Sequence, residues 1–227
     1  MLQEGFPGAP DDEPMRASSI LEAVTLRGAA ISTIGGFLTP ETLSATDETI
    51  ARIDELQLDL GEGPCWDAVS SGRPVREPAL LSAPRHVWPA FTSAVAEHGV
   101  GALFAIPLTV GPLTVGAIDL YDLEPGETDL TGAIALAAQL SRQVLRRAIR
   151  LVDVDEHSAV GNRYSRRAIH QATGFVIAQV GVSAEDAELL IRARAFAEGR
   201  TMNEVAEDVL HGRRVFSTDG TAIEDAQ

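Results

Sequence analysis

The sequence has little of several residue types whose abundance would point to a specific chemistry. It contains one cysteine, Cys65, in 227 residues, which excludes a disulfide framework and any zinc site that needs several cysteines from one chain. It contains no lysine, so all 18 basic residues are arginines. The first residues, Met1 to Gly5, lack the basic region and apolar run of a signal peptide. We therefore expect a cytoplasmic protein without structural disulfides.

Motifs of catalysis and cofactor binding are also missing. No Gly-x-Ser-x-Gly elbow, P-loop or dinucleotide-binding fingerprint occurs, and the five histidines show neither the spacing of metal ligands nor a nearby cysteine. Cys65 follows Pro64 at an expected helix start, where the helix dipole would lower the pKa of a thiol, but its neighbour Trp66 favours a small buried residue. The sequence therefore predicts no enzyme, no metal site and no cofactor. The histidines are His86, His98, His157, His170 and His211.

One uncharged segment of the sequence is a candidate for a membrane-spanning helix. Residues 99–118 carry no charge over 20 residues, which is long enough to span a bilayer. Pro107 and Pro112 lie inside this segment, and two prolines with a Gly-Pro pair would break such a helix. The β-branched residues instead predict two strands around a turn, residues 102–109 and 113–121. We expect no membrane association.

The net charge of −15 is unevenly distributed along the chain. Residues 1–141 contain 6 arginines and 20 acidic residues, a net charge of −14, whereas residues 142–227 contain 12 arginines and 13 acidic residues, a net charge of −1. An acidic first part repels phosphate backbones, while the second part can present a local arginine surface. The asymmetry predicts two domains with different partners.

Strand and helix patterns are mixed in the first part. Residues 29–34 and 42–46 have strand patterns, and Asp47 is placed to cap a following helix. Residues 74–76 are expected to form a short edge strand before the hairpin. Strands and helices intermixed around an antiparallel hairpin predict an α+β domain.

From Asp129 onward the pattern is helical. Apolar residues between Leu130 and Val152 recur at helical spacing along a helix of about 40 Å, which offers a seam to a second copy of the chain. The alternative is the packed last helix of the first domain. Three shorter helices follow, with caps at Ser183 and Thr201. The residues expected to line the dimer seam are Leu140, Val144, Leu145, Ile149 and Val152.

These patterns predict how the chain is divided into domains. The expected division is residues 1–16 as a flexible tail, 17–152 as the first domain with its connecting helix, 153–216 as the helical domain and 217–227 as a second flexible tail.

Two groups of motifs resemble known domain families. The first comprises Gly61-Glu62-Gly63-Pro64-Cys65-Trp66-Asp67-Ala68, Ser71-Gly72-Arg73-Pro74-Val75, Trp88-Pro89-Ala90-Phe91 and Gly116-Ala117-Ile118-Asp119-Leu120-Tyr121. It is similar to the GAF sensor domain, in the variant found in actinobacterial regulators, over residues 17–150. The second comprises Ile169-His170-Gln171-Ala172-Thr173-Gly174, Ser183-Ala184-Glu185-Asp186-Ala187 and Leu190-Ile191-Arg192-Ala193-Arg194-Ala195. It resembles the ANTAR domain, the RNA-binding module of transcription antiterminators.

The resemblance implies a fold and a function. The fold is an N-terminal GAF-like antiparallel sheet with flanking helices, a long connecting helix and a C-terminal three-helix ANTAR bundle. ANTAR dimers stabilise paired RNA hairpins and so block a terminator, which implies a dimeric antitermination regulator that binds hairpin RNA in a nascent transcript leader. A small molecule that binds the GAF domain is a further partner that the resemblance allows, and structural use of that domain without a ligand is the alternative.

Arginines and small residues of the helical domain are the candidates for RNA binding. Arginine suits phosphate contact and base stacking, and small residues let an RNA loop approach a helix closely. Arg192 matches the ANTAR pattern, whereas Arg194 lies on another side of the same helix and is expected to be structural. The residues expected to bind RNA are Arg163, Arg166, Arg167, Ala172, Thr173, Gly174 and Arg192.

Three other functions compete with this interpretation. A helix-turn-helix DNA-binding regulator would use residues 202–210 as its recognition helix, but the acidic residues on that helix repel phosphates. A sensor and dimerisation protein without nucleic-acid binding is favoured by the near-neutral charge of the helical domain. A histidine-kinase fragment with His170 as phosphoacceptor lacks an ATP-binding segment.

Overall fold

The computed structural model describes residues 15–35, 38–82, 87–153 and 166–217, and of residues 150–153 the backbone only. An α+β unit comes first and a helical unit follows it. The strands are β1 (Gly28–Thr33), β2 (Glu41–Ala45), β3 (Val75–Glu77), β4 (Ala102–Val110) and β5 (Leu113–Asp122). The helices are α1 (Ser18–Leu21), α2 (Glu48–Leu60), α3 (Pro64–Ser71), α4 (Pro89–Val95), α5 (Thr131–Asp153), α6 (Arg167–Val180), α7 (Ala184–Glu198) and α8 (Met202–Leu210), with short 3-10 turns at Leu80–Ser82 and Ala96–His98.

The five strands form one antiparallel sheet in the order β2-β1-β5-β4-β3. The predicted hairpin is its centre, with Ile106 opposite Ile118 and the turn between Val110 and Leu113. Gly116 on β5 lies so close to the Ser32 carbonyl oxygen of β1 that a side chain there would collide with the backbone. This close approach explains why a glycine stands in the middle of a buried strand. The predicted edge strand, β3, does lie at the edge of the sheet.

Helices cover both faces of the sheet. Alternate residues of β4 point to opposite faces: Phe104 packs in the cluster that includes α1 and α5, whereas Leu103 packs in the cluster that includes α2 and α4. Both side chains are fully buried, so the strand is apolar throughout rather than alternating. No described helix is both long and apolar enough to cross a membrane.

The apolar stripe of α5 belongs largely to the core of the first unit. Leu140 and Val144 are 6% and 1% exposed and pack on the sheet, so their assignment to a dimer seam is wrong: the face that looked available for a partner is needed to cover the sheet. Leu145 is half-buried beside that core, and Ile149 is 51% exposed. The side chain of Val152 lies outside the described residues.

The helical unit has its own core, as its capped helices predict. Ser183 caps α7 by accepting a hydrogen bond from the Asp186 N–H, and Thr201 with Glu204 forms a complete capping box at α8. Buried residues from all three helices, among them Ile169, Ile191 and Val205, meet in one cluster. Of the expected tails, residues 1–16 and 217–227, the parts 1–14 and 218–227 lie outside the described residues.

We expect Leu140→Ala to lower the free energy of unfolding by about 2–5 kcal/mol, because the substitution leaves a cavity between α5 and the sheet. Ile149→Ala on the same helix, at a half-exposed site, serves as the control and should change stability by about 0.5 kcal/mol or less. Urea unfolding of the full chain measures both. Equal losses from the two variants would contradict the assignment of Leu140 to the core.

Candidate functional site

A buried ion pair joins the two units. Asp59, near the C-terminal end of α2, accepts a hydrogen bond from Arg166 Nη1 at 2.5 Å and a second from the backbone N–H of Met202 at 2.9 Å. The side chains of Asp59 and Arg166 are each 7% exposed. Met202 is the first residue of α8, so the carboxylate binds a guanidinium and the positive end of a helix at once. We call these three residues the interdomain contact.

Glu55 extends this contact by one turn of α2. Its carboxylate accepts a hydrogen bond from Asn203 Nδ2 of α8 and another from Arg52 Nη1, each at 3.3 Å. Burial, with the neighbouring charge of Asp59 second, raises the pKa of Glu55 from 4.5 to about 7. The carboxyl group therefore changes its protonation state near neutral pH while it lies between the two units.

A cavity of about 270 Å³ opens beside the interdomain contact. Its walls include Glu48, Arg52 and Glu55 from α2, and Arg166 and Asn203 from the helical unit. Because charged groups of both signs face it, the cavity can admit a small polar molecule or water between the two units. Its residues lie on both units, so a change in their separation would change the cavity.

Two carboxyl groups are buried inside the first unit. Asp54 accepts a hydrogen bond from Thr42 Oγ1 at 2.5 Å, and Asp119 accepts one from Gln57 Nε2 at 2.7 Å. Burial raises the pKa of both groups, and for Asp119 the nearby charge of Asp54 raises it further. Like charges at such close range in a buried site favour one shared proton over two ionised groups.

Cys65 lies next to this polar cluster and is fully buried. Burial raises the pKa of its thiol well above the ordinary value, and the charges of the two aspartates act in the same direction. The interpretation of Cys65 as a small buried residue is therefore confirmed, since a thiol with a raised pKa is a poor nucleophile. The described residues contain no group of three or more histidine, cysteine or acidic side chains that could hold a metal ion.

Three residues predicted to bind RNA are unavailable in this structure. Arg166 is buried in the interdomain contact. Ala172 is fully buried and Thr173 is 9% exposed, with its hydroxyl donating to the Ile169 carbonyl oxygen at 2.8 Å. The assignment of Ala172 and Thr173 to the RNA surface is wrong, because their small side chains face the core of the helical unit. The assignment of Arg166 is wrong for this docked arrangement.

The remaining predicted RNA residues are at the surface or outside the described part. Gly174 is exposed, with open space where a Cβ would lie, and Arg167, the first residue of α6, is also exposed. Arg192 is partly exposed and pairs with Glu188 at 3.2 Å. Arg194 pairs with Glu198 at 2.6 Å, which agrees with the structural role expected for it. Arg163 lies outside the described residues.

Sequence reasoning missed the acidic side of the interdomain contact. Asp59 stands between Leu58 and Leu60 in a helix that is buried on nearly every side, and an acid in such an apolar run of the sequence indicates a paired carboxylate. That signal was present, but the partner Arg166 is 107 residues away in sequence. Asn203 was missed for the same reason.

An antiparallel sheet between two helical layers, with a capped three-helix unit packed on one of its helices, defines a sensor fold with an appended helical module. The GAF domain model matches residues 17–146 and the ANTAR domain model matches residues 163–210. The chain belongs to the GAF domain family and carries an ANTAR domain after the GAF domain. Both are regulatory domains, as the sequence predicts. No curated protein matches the chain in sequence.

Three solved structures that are similar to this chain share 14–15% sequence identity with it. A domain ascribed to a two-component sensor histidine kinase of Sinorhizobium meliloti is 15% identical, with a TM-score of 0.46, covering 60% of this chain and 91% of that one. The GAF domain region of a Geobacter sulfurreducens protein ascribed to the membrane is 15% identical, with a TM-score of 0.44 and coverages of 57% and 88%. The type II free methionine-R-sulfoxide reductase of Thermoplasma acidophilum is 14% identical, with a TM-score of 0.43 and coverages of 57% and 87%.

We expect stability to depend on pH through Glu55. The pKa of Glu55 is higher in the folded chain than in the unfolded one, so protonation of this group stabilises the folded state. The contribution of Glu55 to the free energy of unfolding is fully present below about pH 4.5. It is lost as the pH rises through about 7, by a total on the order of 3 kcal/mol. Glu55→Gln mimics the protonated form and should remove this dependence. Urea unfolding of both proteins between pH 4.5 and 8.5 measures the difference. A difference that is constant over this range would show that Glu55 titrates normally.

Proposed function

We propose that this protein is a cytoplasmic regulator of transcription antitermination, in which the GAF domain controls an ANTAR domain that binds hairpin RNA in a nascent transcript leader. The domain order supports a sensor with an RNA-binding output. The observation that carries the control step is the interdomain contact, because it holds a predicted RNA-binding arginine against the sensor domain.

The chemistry of the interdomain contact supports competition between Asp59 and RNA. A guanidinium and a helix N-terminus are the two groups that proteins commonly use to bind phosphate oxygens. Asp59 occupies both at once, through Arg166 and the N–H of Met202. The docked arrangement is then the form with lower RNA affinity, and a signal that separates the domains raises that affinity by shifting the population.

The exposed part of α6 and α7 is the surface we assign to RNA. Gly174 lets a nucleotide approach the helix backbone, and Arg167 and Arg192 supply guanidinium groups for phosphate contact and base stacking. Across the bundle, α8 exposes Glu204 and Glu207. An acidic outer face disfavours α8 as a recognition helix in a DNA groove.

A homodimer is part of this proposal. With Leu140 and Val144 in the core, Leu145 and Ile149 are the residues of the predicted seam that are still accessible, and the exposed arginines Arg142 and Arg146 lie beside them. Two apolar side chains beside like charges provide a small contact.

We expect Asp59→Ala to raise the affinity for hairpin RNA at least tenfold, a change of about 1.4 kcal/mol, because it releases Arg166 and the N-terminus of α8. The measurement is a fluorescence titration of a labelled hairpin with the full chain. Glu22→Ala, which removes an exposed acidic charge next to α1, on the other face of the sheet from α2, is the control and should leave the affinity nearly unchanged. Equal affinities for wild type and Asp59→Ala would contradict control through this contact.

We expect Arg192→Ala and Arg167→Ala each to weaken hairpin binding by about 1–3 kcal/mol, whereas Glu207→Ala, which removes an exposed acidic charge of α8, should not weaken it. The same titration is repeated with paired hairpins and with duplex DNA of matched length. Binding to duplex DNA that is as tight as binding to RNA would favour the helix-turn-helix alternative. No binding to any hairpin, even by the Asp59→Ala variant, would favour a sensor and dimerisation protein.

A further inference from the structure

The cavity beside the interdomain contact lies outside the core of the GAF domain. Ile53 of α2 packs in the apolar cluster on the sheet, whereas Arg52 and Glu55 of the same helix line the cavity. Because an α-helix turns about 100° per residue, Glu55 lies about 200° around α2 from Ile53. Arg166 and Asn203 of the helical unit form the other wall. We call this space of about 270 Å³ the interdomain cavity.

The carboxylate of Glu55 is poorly compensated in the interdomain cavity. Burial, with the charge of Asp59 second, raises its pKa to about 7. Its two donors, Arg52 Nη1 and Asn203 Nδ2, each lie 3.3 Å from its oxygens, which is longer than the roughly 2.7–2.9 Å of strong charge-assisted hydrogen bonds. A further positive charge with N–H donors would therefore stabilise the ionised carboxylate. The charged side chains that line the cavity are Glu48, Arg52, Glu55 and Arg166.

The amide oxygen of Asn203 is a second acceptor at the same place. The amide nitrogen of Asn203 faces Glu55, as an ionised carboxylate requires. The amide oxygen is buried, and within the described part of the chain no donor reaches it. A buried acceptor without a donor costs free energy. One ligand with several N–H groups can satisfy this oxygen and the neighbouring carboxylate together.

The rest of the wall favours a short apolar chain on the ligand. Ala51 and Leu58 line the interdomain cavity and are 8% and 3% exposed, so an alkyl chain can cover the apolar surface that remains to them. An anion fits less well. The two guanidinium groups that would bind it, those of Arg52 and Arg166, already pair with carboxylates of α2, and an anion brings no donor for Asn203.

We propose that the interdomain cavity binds a small primary alkylammonium ion, whose N–H groups donate to Asn203 Oδ1 and to the carboxylate of Glu55 and whose alkyl chain lies against Ala51 and Leu58. The ligand supplies the positive charge that a proton otherwise supplies to Glu55, so ligand and proton compete. A primary amine keeps its own charge at neutral pH, since the similar amine of lysine has a pKa of about 10.4.

A ligand at this place contacts both domains at once. Glu55 belongs to the GAF domain and Asn203 to the ANTAR domain, so the ligand binds the docked arrangement more tightly than a separated one and shifts the population towards it. The site goes beyond the proposed function, because binding requires no RNA. Only one consequence rests on that function: the ligand then lowers the affinity for hairpin RNA.

Calorimetric titration of the full chain with butylammonium chloride, in about 0.15 M salt to screen the negative net charge, tests the ligand class. We expect a dissociation constant on the order of 1 mM near pH 8, because a ligand of about five non-hydrogen atoms gains little free energy. Butyrate has the same alkyl chain and the opposite charge, and tetramethylammonium has the charge without N–H groups. Each should bind at least tenfold more weakly than butylammonium.

The pH dependence of butylammonium binding tests the role of Glu55. The ionised carboxylate is the form that binds, so a pKa of about 7 makes the affinity rise about tenfold from pH 6 to pH 8. Glu55→Gln should bind at least tenfold more weakly near pH 8 and lose this dependence. The pKa of His98 is lowered by burial and then by the charge of Arg52. Because Glu55→Gln retains His98, any dependence left in that variant measures the contribution of this histidine.

Two further variants separate the site from general effects. Glu22→Gln makes the same chemical change next to α1, on the other face of the sheet, and should bind butylammonium like the wild type. Ala51→Leu fills part of the interdomain cavity without a change of charge and should weaken binding at least tenfold. Circular dichroism confirms that each variant is folded.

Three results would overturn the proposal. The first is equal binding of tetramethylammonium and butylammonium, which would make the negative net charge of the chain the attraction. The second is tighter binding of butyrate. The third is wild-type affinity in both Glu55→Gln and Ala51→Leu. Butylammonium binding that depends on Glu55 but leaves hairpin affinity unchanged supports the site and contradicts control of RNA binding by docking, so the two proposals fail separately.

Discussion

The buried carboxylate of Asp59 is the constraint on which the arrangement of the two domains depends. A charge at this depth must be paired, and its partners come from the other domain: the guanidinium of Arg166 and the N–H of Met202. Removing one partner leaves an uncompensated buried charge. Two arrangements avoid this cost: the one with the contact complete, and the one that the proposed function requires, with both domains separated and their charges in water. Under that proposal, a signal acts by favouring the separated arrangement.

Helix α2 connects this contact with the interior of the GAF domain. Asp54 is fully buried and bonds Thr42 on β2, while Glu55 and Asp59, on the same helix, contact the ANTAR domain. Polar groups directed both ways from one helix form a continuous physical path between the sheet and the ANTAR domain. Burial at both positions raises the pKa of the Asp54 and Glu55 carboxyl groups.

Local signals in the sequence predicted the helices and their caps. Which faces of those helices pack against the rest of the chain, and which residues form ion pairs across it, depends on residues far apart in sequence. Asp47, Ser183 and Thr201 cap their helices as predicted, since capping depends on neighbours within three residues. The periodicity of α5 predicted a helix but could not tell whether Leu140 faces its own sheet or a second copy. The partner of Arg166 could not be predicted, because nothing local marks a residue 107 positions away.

The difference between local sequence signals and long-range packing also explains the roles of the small residues of α6, Ala172, Thr173 and Gly174. The Cβ of Ala172 fits against the core, and Thr173 bonds the backbone of its own helix, so these two residues let α6 pack closely in the bundle. Gly174 is the member of the motif with open space around it. The turn of the helix thus places these three residues on two different sides of α6. Ala172 and Thr173 pack in the bundle, whereas Gly174 leaves backbone exposed where a nucleotide can approach. Under the proposed function, contact of this segment with RNA therefore depends on the side chains beside Gly174 rather than on Ala172 and Thr173.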